Sequence, residues 1–306
     1  MQAIVQRERE NLFTRLHPLT GLLYVASLAV LALLFSHPLY QLALFLAVGV
    51  VLLAAGGWQV WRPYLYFSLT MLIIIVGFNA VLGGWGETVL FVGPAFPILG
   101  RPRVTLEALL YGVGMGLRLL VLTSAFCYYN HLVNQEGVMR LLSPLGGRFV
   151  LVITMATRFL PLLVQEFNRI MAVQRCRGVK VTGASLREKV GSMVPVLNIL
   201  LLAALERSLQ VAESMQARGY GSGPRRVYTR ELWRPRDYLI LAALAAAFLL
   251  GLAAVAAGWA RYTYYPRLAG LQPGSLLPAL ILTLALVQPA VLNWGWLHWT
   301  WLKSRI

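Results

Sequence analysis

The sequence predicts an all-α fold: a polytopic integral membrane protein with about six transmembrane helices and long cytoplasmic helices. Three observations predict it. Hydrophobic residues make up 58% of the 306 positions and charged residues 12%, about half the ~25% usual in soluble globular proteins. So little polar surface cannot cover a water-facing fold, which excludes a soluble enzyme. The charge is lopsided, with 27 Lys+Arg against 11 Asp+Glu and a net +16. Finally, the charges avoid the long apolar runs and gather between them.

Met1–Pro18 carries Arg7, Glu8, Arg9, Glu10 and Arg15 ahead of any apolar run, so no cleavable signal peptide is expected and the first apolar segment is an uncleaved anchor. Leu19–Phe35 and Leu39–Ala55 are short spans, and Ser36-His37-Pro38 between them reads as a tight turn. Tyr64–Leu82 is the third span. Val104–Tyr128 is the fourth, with Glu107 near its start and Arg118 inside. An arginine at the centre of a lipid-facing helix costs about 2.5–3.5 kcal/mol, so Arg118 is expected to face protein, pairing with a carbonyl or snorkelling. Gly112-Val113-Gly114-Met115-Gly116 suits close helix packing rather than phosphate binding. Tyr238–Gly258 and Leu276–Trp301 complete the set, the last ending in an interfacial belt of Trp294, Trp296, Trp299 and Trp301.

With both termini in the cytoplasm, 22 of the 27 basic residues fall inside and four outside, a strong positive-inside signal. Three regions follow: 1–129 with four spans, a cytoplasmic 130–237, and 238–306 with two spans. Val190–Leu205 is uncharged, but a crossing there would put the flanking basic stretches on opposite sides. Pro195 and Asn198 also disfavour a lipid-exposed helix. It is expected to lie against other helices or in the interface.

Segment 130–237 holds sixteen basic and seven acidic residues. Pro144-Leu145-Gly146-Gly147 and Gly178–Gly183 divide it into a short helix near Asn134–Leu142 and two long ones, Arg148–Arg177 and Leu186–Arg218. The first long helix has an apolar stripe of Phe159, Leu162, Leu163, Phe167, Ile170 and Met171, and the second one of Leu205, Leu209, Ala212 and Met215. Both finish alike, in Cys176-Arg177-Gly178 and Ala217-Arg218-Gly219. Arginine near a helix C-terminus opposes the dipole and glycine stops the helix. Twice over, on consecutive helices, the pattern points to more than capping: a guanidinium at a helix tip suits a carboxylate-lined groove on a soluble partner.

At these residues the chain resembles the transmembrane T component of energy-coupling factor (ECF) transporters, the vitamin and transition-metal uptake systems. The x-Arg-Gly pair is that family's signature. Arg158-Phe159-Leu160-Pro161-Leu162-Leu163, Arg218-Gly219-Tyr220-Gly221, Pro224-Arg225-Arg226, Arg234-Pro235-Arg236-Asp237 and Arg118-Leu119-Leu120 extend the likeness over about Leu16 to Gly258. Cys176 stands where the family usually has alanine, and His17 and Gly21 where it commonly has aspartate and lysine. The resemblance implies a non-catalytic subunit of a bacterial inner-membrane importer. Its partners would be two ABC-type ATPases, docked through Cys176, Arg177, Gly178, Ala217, Arg218 and Gly219 at the ends of the coupling helices, and a substrate-binding S component. The faces carrying Phe159, Leu163, Phe167, Ile170, Leu205, Leu209 and Met215 would meet that S component, or each other.

Other chemistry is excluded or disfavoured by the same residues. No G-x-x-x-x-G-K-[ST] occurs, so the chain has no P-loop of its own. Cys127 and Cys176 are too few for a thiolate site, and His17, His37, His131 and His298 are scattered, so no metal or other cofactor is expected. The acidic residues never cluster as a metal-dependent lipid-modifying transferase needs, and the basic residues follow membrane topology rather than any nucleic-acid reader motif. A standalone polytopic permease or channel is the alternative reading of the composition; transport persisting without any ATPase would mark it.

Overall fold

A computed structural model describes residues 16–83, 86–92, 103–135, 137–139, 141, 148–178, 186–223, 233–265, 270 and 273–298. The charged N-terminal stretch to Arg15, the Pro224-Arg225-Arg226 exit and the terminal Trp299 and Trp301 lie outside the described residues, and the short helix near Asn134–Leu142 lies only partly within them. In chain order the elements are α1 (Pro18–Leu34), α2 (Pro38–Ala54), α3 (Trp58–Leu82), β1 (Val89–Val92), β2 (Arg103–Thr105), α4 (Leu106–Leu132), α5 (Arg148–Cys176), α6 (Leu186–Ala217), α7 (Pro235–Ala256) and α8 (Leu276–His298). Among the described residues, six helices are long and apolar enough to cross a membrane: α3, α4, α7, α8, and within α5 and α6 the stretches Phe149–Cys176 and Met193–Ala217. The two short spans expected from sequence are α1 and α2, at 17 residues each. The uncharged stretch from Val190 to Leu205 lies inside one continuous helix, α6, with Pro195 in its interior.

The chain divides into two compact units, Met1–Val138 with Leu232–Ile306, and Met139–Glu231. In the first unit α2 is the most enclosed helix: Leu44, Ala47, Val48, Val51 and Leu52 are fully buried. It packs against α3, α4 and α8, while α1 packs against α4 and α7 and α7 against α8. α1 and α2 begin the same way. His17 and His37 stand at the N-caps, each Nδ1 accepting from the amide two residues on, at 3.3 and 3.2 Å, with proline at the first helical position. The imidazole satisfies one of the amides a helix start leaves over, and proline has none to leave.

Polar side chains pin the helices across long sequence separations. Tyr24 donates to the Leu286 carbonyl at 3.0 Å, Asn293 to that of Ala54 at 2.8 Å, and Trp61 to Ser124 Oγ at 3.1 Å. Asp237, fully buried, accepts from the amides of His17 and Arg234 at 3.1 and 3.0 Å, while His17 stacks on Trp233 at 4.2 Å. That ties the lead-in to α7 to the start of α1.

The expected glycine packing is present. A Cβ on Gly112 would come within 2.9 Å of Val76 Cα, and one on Gly116 within 2.5 Å of Leu72 Cγ. Glycines four apart on one face of α4 therefore let α3 lie backbone-close. Arg118, on the same helix, pairs with a carbonyl as expected, donating to that of Phe35 at 2.8 Å. One element was not foreseen: β1 and β2 form a small antiparallel ribbon beyond α3. Glu107 braces it, accepting from the amide and hydroxyl of Thr88.

Candidate coupling site: two arginine-tipped helices

α5 and α6 form the second unit, and both end where the sequence places the end to within one residue. At α6 the amide of Gly219 donates to the Gln216 carbonyl at 2.9 Å and that of Tyr220 to the Met215 carbonyl at 3.0 Å. Gly219 has φ +76°. This is a Schellman stop, with Arg218 as the last, half-helical residue and Gly219 in the left-handed position after it. Ser222 adds a hydroxyl bond back to the Gly219 carbonyl at 2.7 Å. At α5 the amide of Gly178 donates to the Arg175 carbonyl at 3.0 Å and Gly178 has φ +79°, the same stop one residue after Arg177.

The two arginines thus occupy equivalent positions in two copies of one terminus. Both side chains are exposed, and among the described residues neither guanidinium has a partner. Each is a planar, permanently charged fork with five donors. The flanking Cys176 is an exposed free thiol, and Ala217 is exposed too.

The helices meet in an antiparallel sense. Ile170 and Met171 of α5 pack with Val196 of α6, with Phe167, Met193 and Leu200 beside them. Further back along α5, Leu162, Leu163 and Glu166 face Ala203, Ala204, Glu206, Arg207 and Gln210 across a cavity of about 220 Å³. Rising positions on α6 therefore meet falling positions on α5, and the two arginine tips lie at opposite ends of the pair.

The two apolar faces are covered differently within this unit. Phe167 and Ile170 pack with α6, Leu163 lines the cavity, and Phe159 is half-buried. On α6, Leu205 and Leu209 of the stripe are not among the side chains lining the contact with α5, and Met215 is half-buried. Leu205 and Leu209 are each 56% exposed, while the side toward α5 carries Ala203, Ala204 and Arg207. Alanines permit closer helix approach, so the large apolar side chains of α6 are left facing outward. With Leu160, Val164, Leu201 and Leu202, all more than half exposed, they make the second unit unusually apolar on its outside.

Comparison with known proteins places the chain among similar sequences. The family model described as CbiQ, cobalt transport protein, matches residues 9–229. The energy-coupling factor transporter transmembrane protein EcfT of Bacillus subtilis is 29% identical over 246 residues, covering 76% of this chain and 90% of its own length. That of Brevibacillus brevis is 27% identical over 237 residues, covering 74% and 88%. The Streptococcus thermophilus protein is 38% identical over 122 residues, covering 38% and 46%.

Proposed function

We propose, from the premise that the chain belongs to the CbiQ/EcfT family of ECF-transporter T components, that it links two cytoplasmic ABC-type ATPases to a membrane-embedded S component. It is a non-catalytic, multi-pass membrane subunit. The carrying observation is the duplicated terminus: two helices ending in the same arginine and left-handed glycine, each presenting an exposed guanidinium without a partner among the described residues. In this reading each arginine enters a carboxylate-lined groove on one ATPase. ATP-driven movement of the ATPase pair displaces α5 and α6, and the outward apolar face around Leu201, Leu202, Leu205 and Leu209 transmits that movement to the S component. The substrate, a vitamin or a transition-metal ion, is recognised by the S component. Both termini of the chain face the cytoplasm, in keeping with its basic-residue asymmetry, and the membrane is the bacterial inner membrane.

Two helix tips rather than one suit a paired ATPase. The antiparallel crossing holds the arginines apart, so each meets its own subunit. Truncating one partner of a buried, hydrogen-bonded charge pair costs about 2–5 kcal/mol, or about 30-fold to several thousand-fold in affinity. The test is co-purification of the tagged chain with candidate ATPases in mild detergent, comparing wild type with Arg177→Ala/Arg218→Ala. The expected result is a stable complex that the double variant loses while still inserting in the membrane. Undiminished ATPase binding by the double variant would place the interface elsewhere.

A further inference from the structure

The first unit contains a cavity that coupling does not use. About 220 Å³ in volume, it lies between the α1–α2 turn, α4 and the segment after α7, lined by Ser36, Gln41, Tyr111, Arg118, Tyr262 and Tyr264 among others. Its wall combines two features that are costly to leave alone. One is the charge of Arg118. One terminal nitrogen donates to the Phe35 carbonyl at 2.8 Å and the other approaches the Met115 sulfur at 3.9 Å. Neither partner is anionic, and among the described residues no carboxylate pairs with it. A half-buried guanidinium without a counter-charge is partly desolvated, and most of its fork is still to be used. The other is Gln41, 1% exposed. Its amide nitrogen is committed to the carbonyls of Ala32 and Phe35 at 2.7 and 2.8 Å, and its Oε1 has no partner.

A cationic fork and an orphan acceptor on one wall call for an anion that carries a hydrogen-bond donor. Three tyrosines surround them. Tyr264 donates to the Ser36 carbonyl at 3.0 Å; burial, then neighbouring Tyr262, pushes its hydroxyl up to about 12, so it stays neutral. The position within the membrane narrows the class. At 17 residues, α1 is about 25 Å long against roughly 30 Å of hydrocarbon. Its Phe35 end, where Arg118 attaches, therefore reaches to within roughly 5 Å of a headgroup layer.

We infer that this cavity binds a phosphoryl anion bearing a hydroxyl or amine donor. The phosphate oxygens lie against Arg118, the donor turns to Gln41 Oε1, and the tyrosine rings close around both. The phosphodiester headgroup of phosphatidylglycerol has this chemistry, and so does soluble glycerol 3-phosphate.

The test uses the full chain in detergent micelles carrying phosphatidylglycerol or phosphatidylcholine, the latter having the phosphate but no donor, and separately with glycerol 3-phosphate in solution. Native mass spectrometry counts retained lipid, and thermal unfolding reports protection. The expected result is one phosphatidylglycerol retained per chain, preferred at least about tenfold over phosphatidylcholine and accompanied by a raised Tm. Arg118→Gln should abolish it. So should Ser36→Glu, which leaves Arg118 in place and brings a rival carboxylate into the cavity. Equal protection by glycerol 3-phosphate, lost in the same variants, would identify the guest as a soluble phosphate. Equal retention of both lipids by wild type and both variants, with no Tm response to either phosphate source, would overturn the inference.

Discussion

Replacing Gly219 by alanine puts a Cβ on a residue whose φ is +76°, a conformation that costs an L-residue about 1–2 kcal/mol. The new methyl would also meet Ser222 Oγ at 3.0 Å. That hydroxyl can rotate away, but only by giving up its bond to the Gly219 carbonyl. If the chain escapes the strain, it must break the amide bonds of Gly219 and Tyr220 that stop α6, and Arg218 no longer leaves the helix in its present direction. Gly178 provides the control: its φ is +79° and a methyl added there would meet no atom of the described residues within 4 Å, so among them Gly178→Ala carries the backbone cost alone. Titrating the ATPase pair against the chain in lipid nanodiscs should show Kd weakened about 5- to 30-fold for either alanine variant, more for Gly219→Ala. Asparagine, which tolerates the left-handed region better, should fall between glycine and alanine. Unchanged affinity in both alanine variants would refute the argument that the left-handed glycines set the arginine geometry.

Further outcomes follow from the first unit. Gln41→Leu removes the amide that serves the carbonyls of Ala32 and Phe35, and should lower stability in detergent by about 1–3 kcal/mol; an unaltered Tm would contradict it. Burial lowers the pKa of His37 below its ordinary 6.5, which favours the neutral ring whose Nδ1 caps α2. The unfolded chain then binds the proton first, so stability is full above pH 6.5 and falls as pH drops below it. His37→Asn, keeping a capping acceptor without a titrating ring, should flatten that part of a Tm-versus-pH curve, and a curve of unchanged slope would count against the assignment. Gly112→Val should impair folding by driving α3 and α4 apart at Val76; normal yield and Tm would show that this contact is not needed.

What was legible in the sequence was what local chemistry decides. The ends of α5 and α6 were readable because an apolar stripe and an Arg-Gly stop are written in neighbouring residues. The α1 and α2 boundaries were readable because proline marks the start of each. Gly112 and Gly116 announced close packing by spacing alone. The partners of Arg118 and Asp237 were not legible, since Phe35 lies 83 positions from Arg118 and His17 lies 220 from Asp237. Those pairs exist only once the helices are assembled. The β1–β2 ribbon was missed because its strands are only four and three residues long, too short for alternation to show. What covers the α6 stripe, α5 or the S component, was left open because amphipathic spacing finds an apolar side without saying what covers it. In this chain Ala203, Ala204 and Arg207 line the side toward α5, while Leu205 and Leu209 are mostly exposed.

The crossing of α5 and α6 has a mechanical consequence. Taking the pivot near Phe167 and Leu200, where the two helices meet, Arg177 stands ten residues beyond it and Arg218 eighteen, or roughly 15 and 27 Å at 1.5 Å per residue. The pair is then a set of shears with unequal arms. Equal displacements of the two tips swing the short arm through nearly twice the angle of the long one. In the proposed coupling, a symmetric stroke on the two tips would therefore emerge at the pivot as a net tilt rather than a simple scissoring.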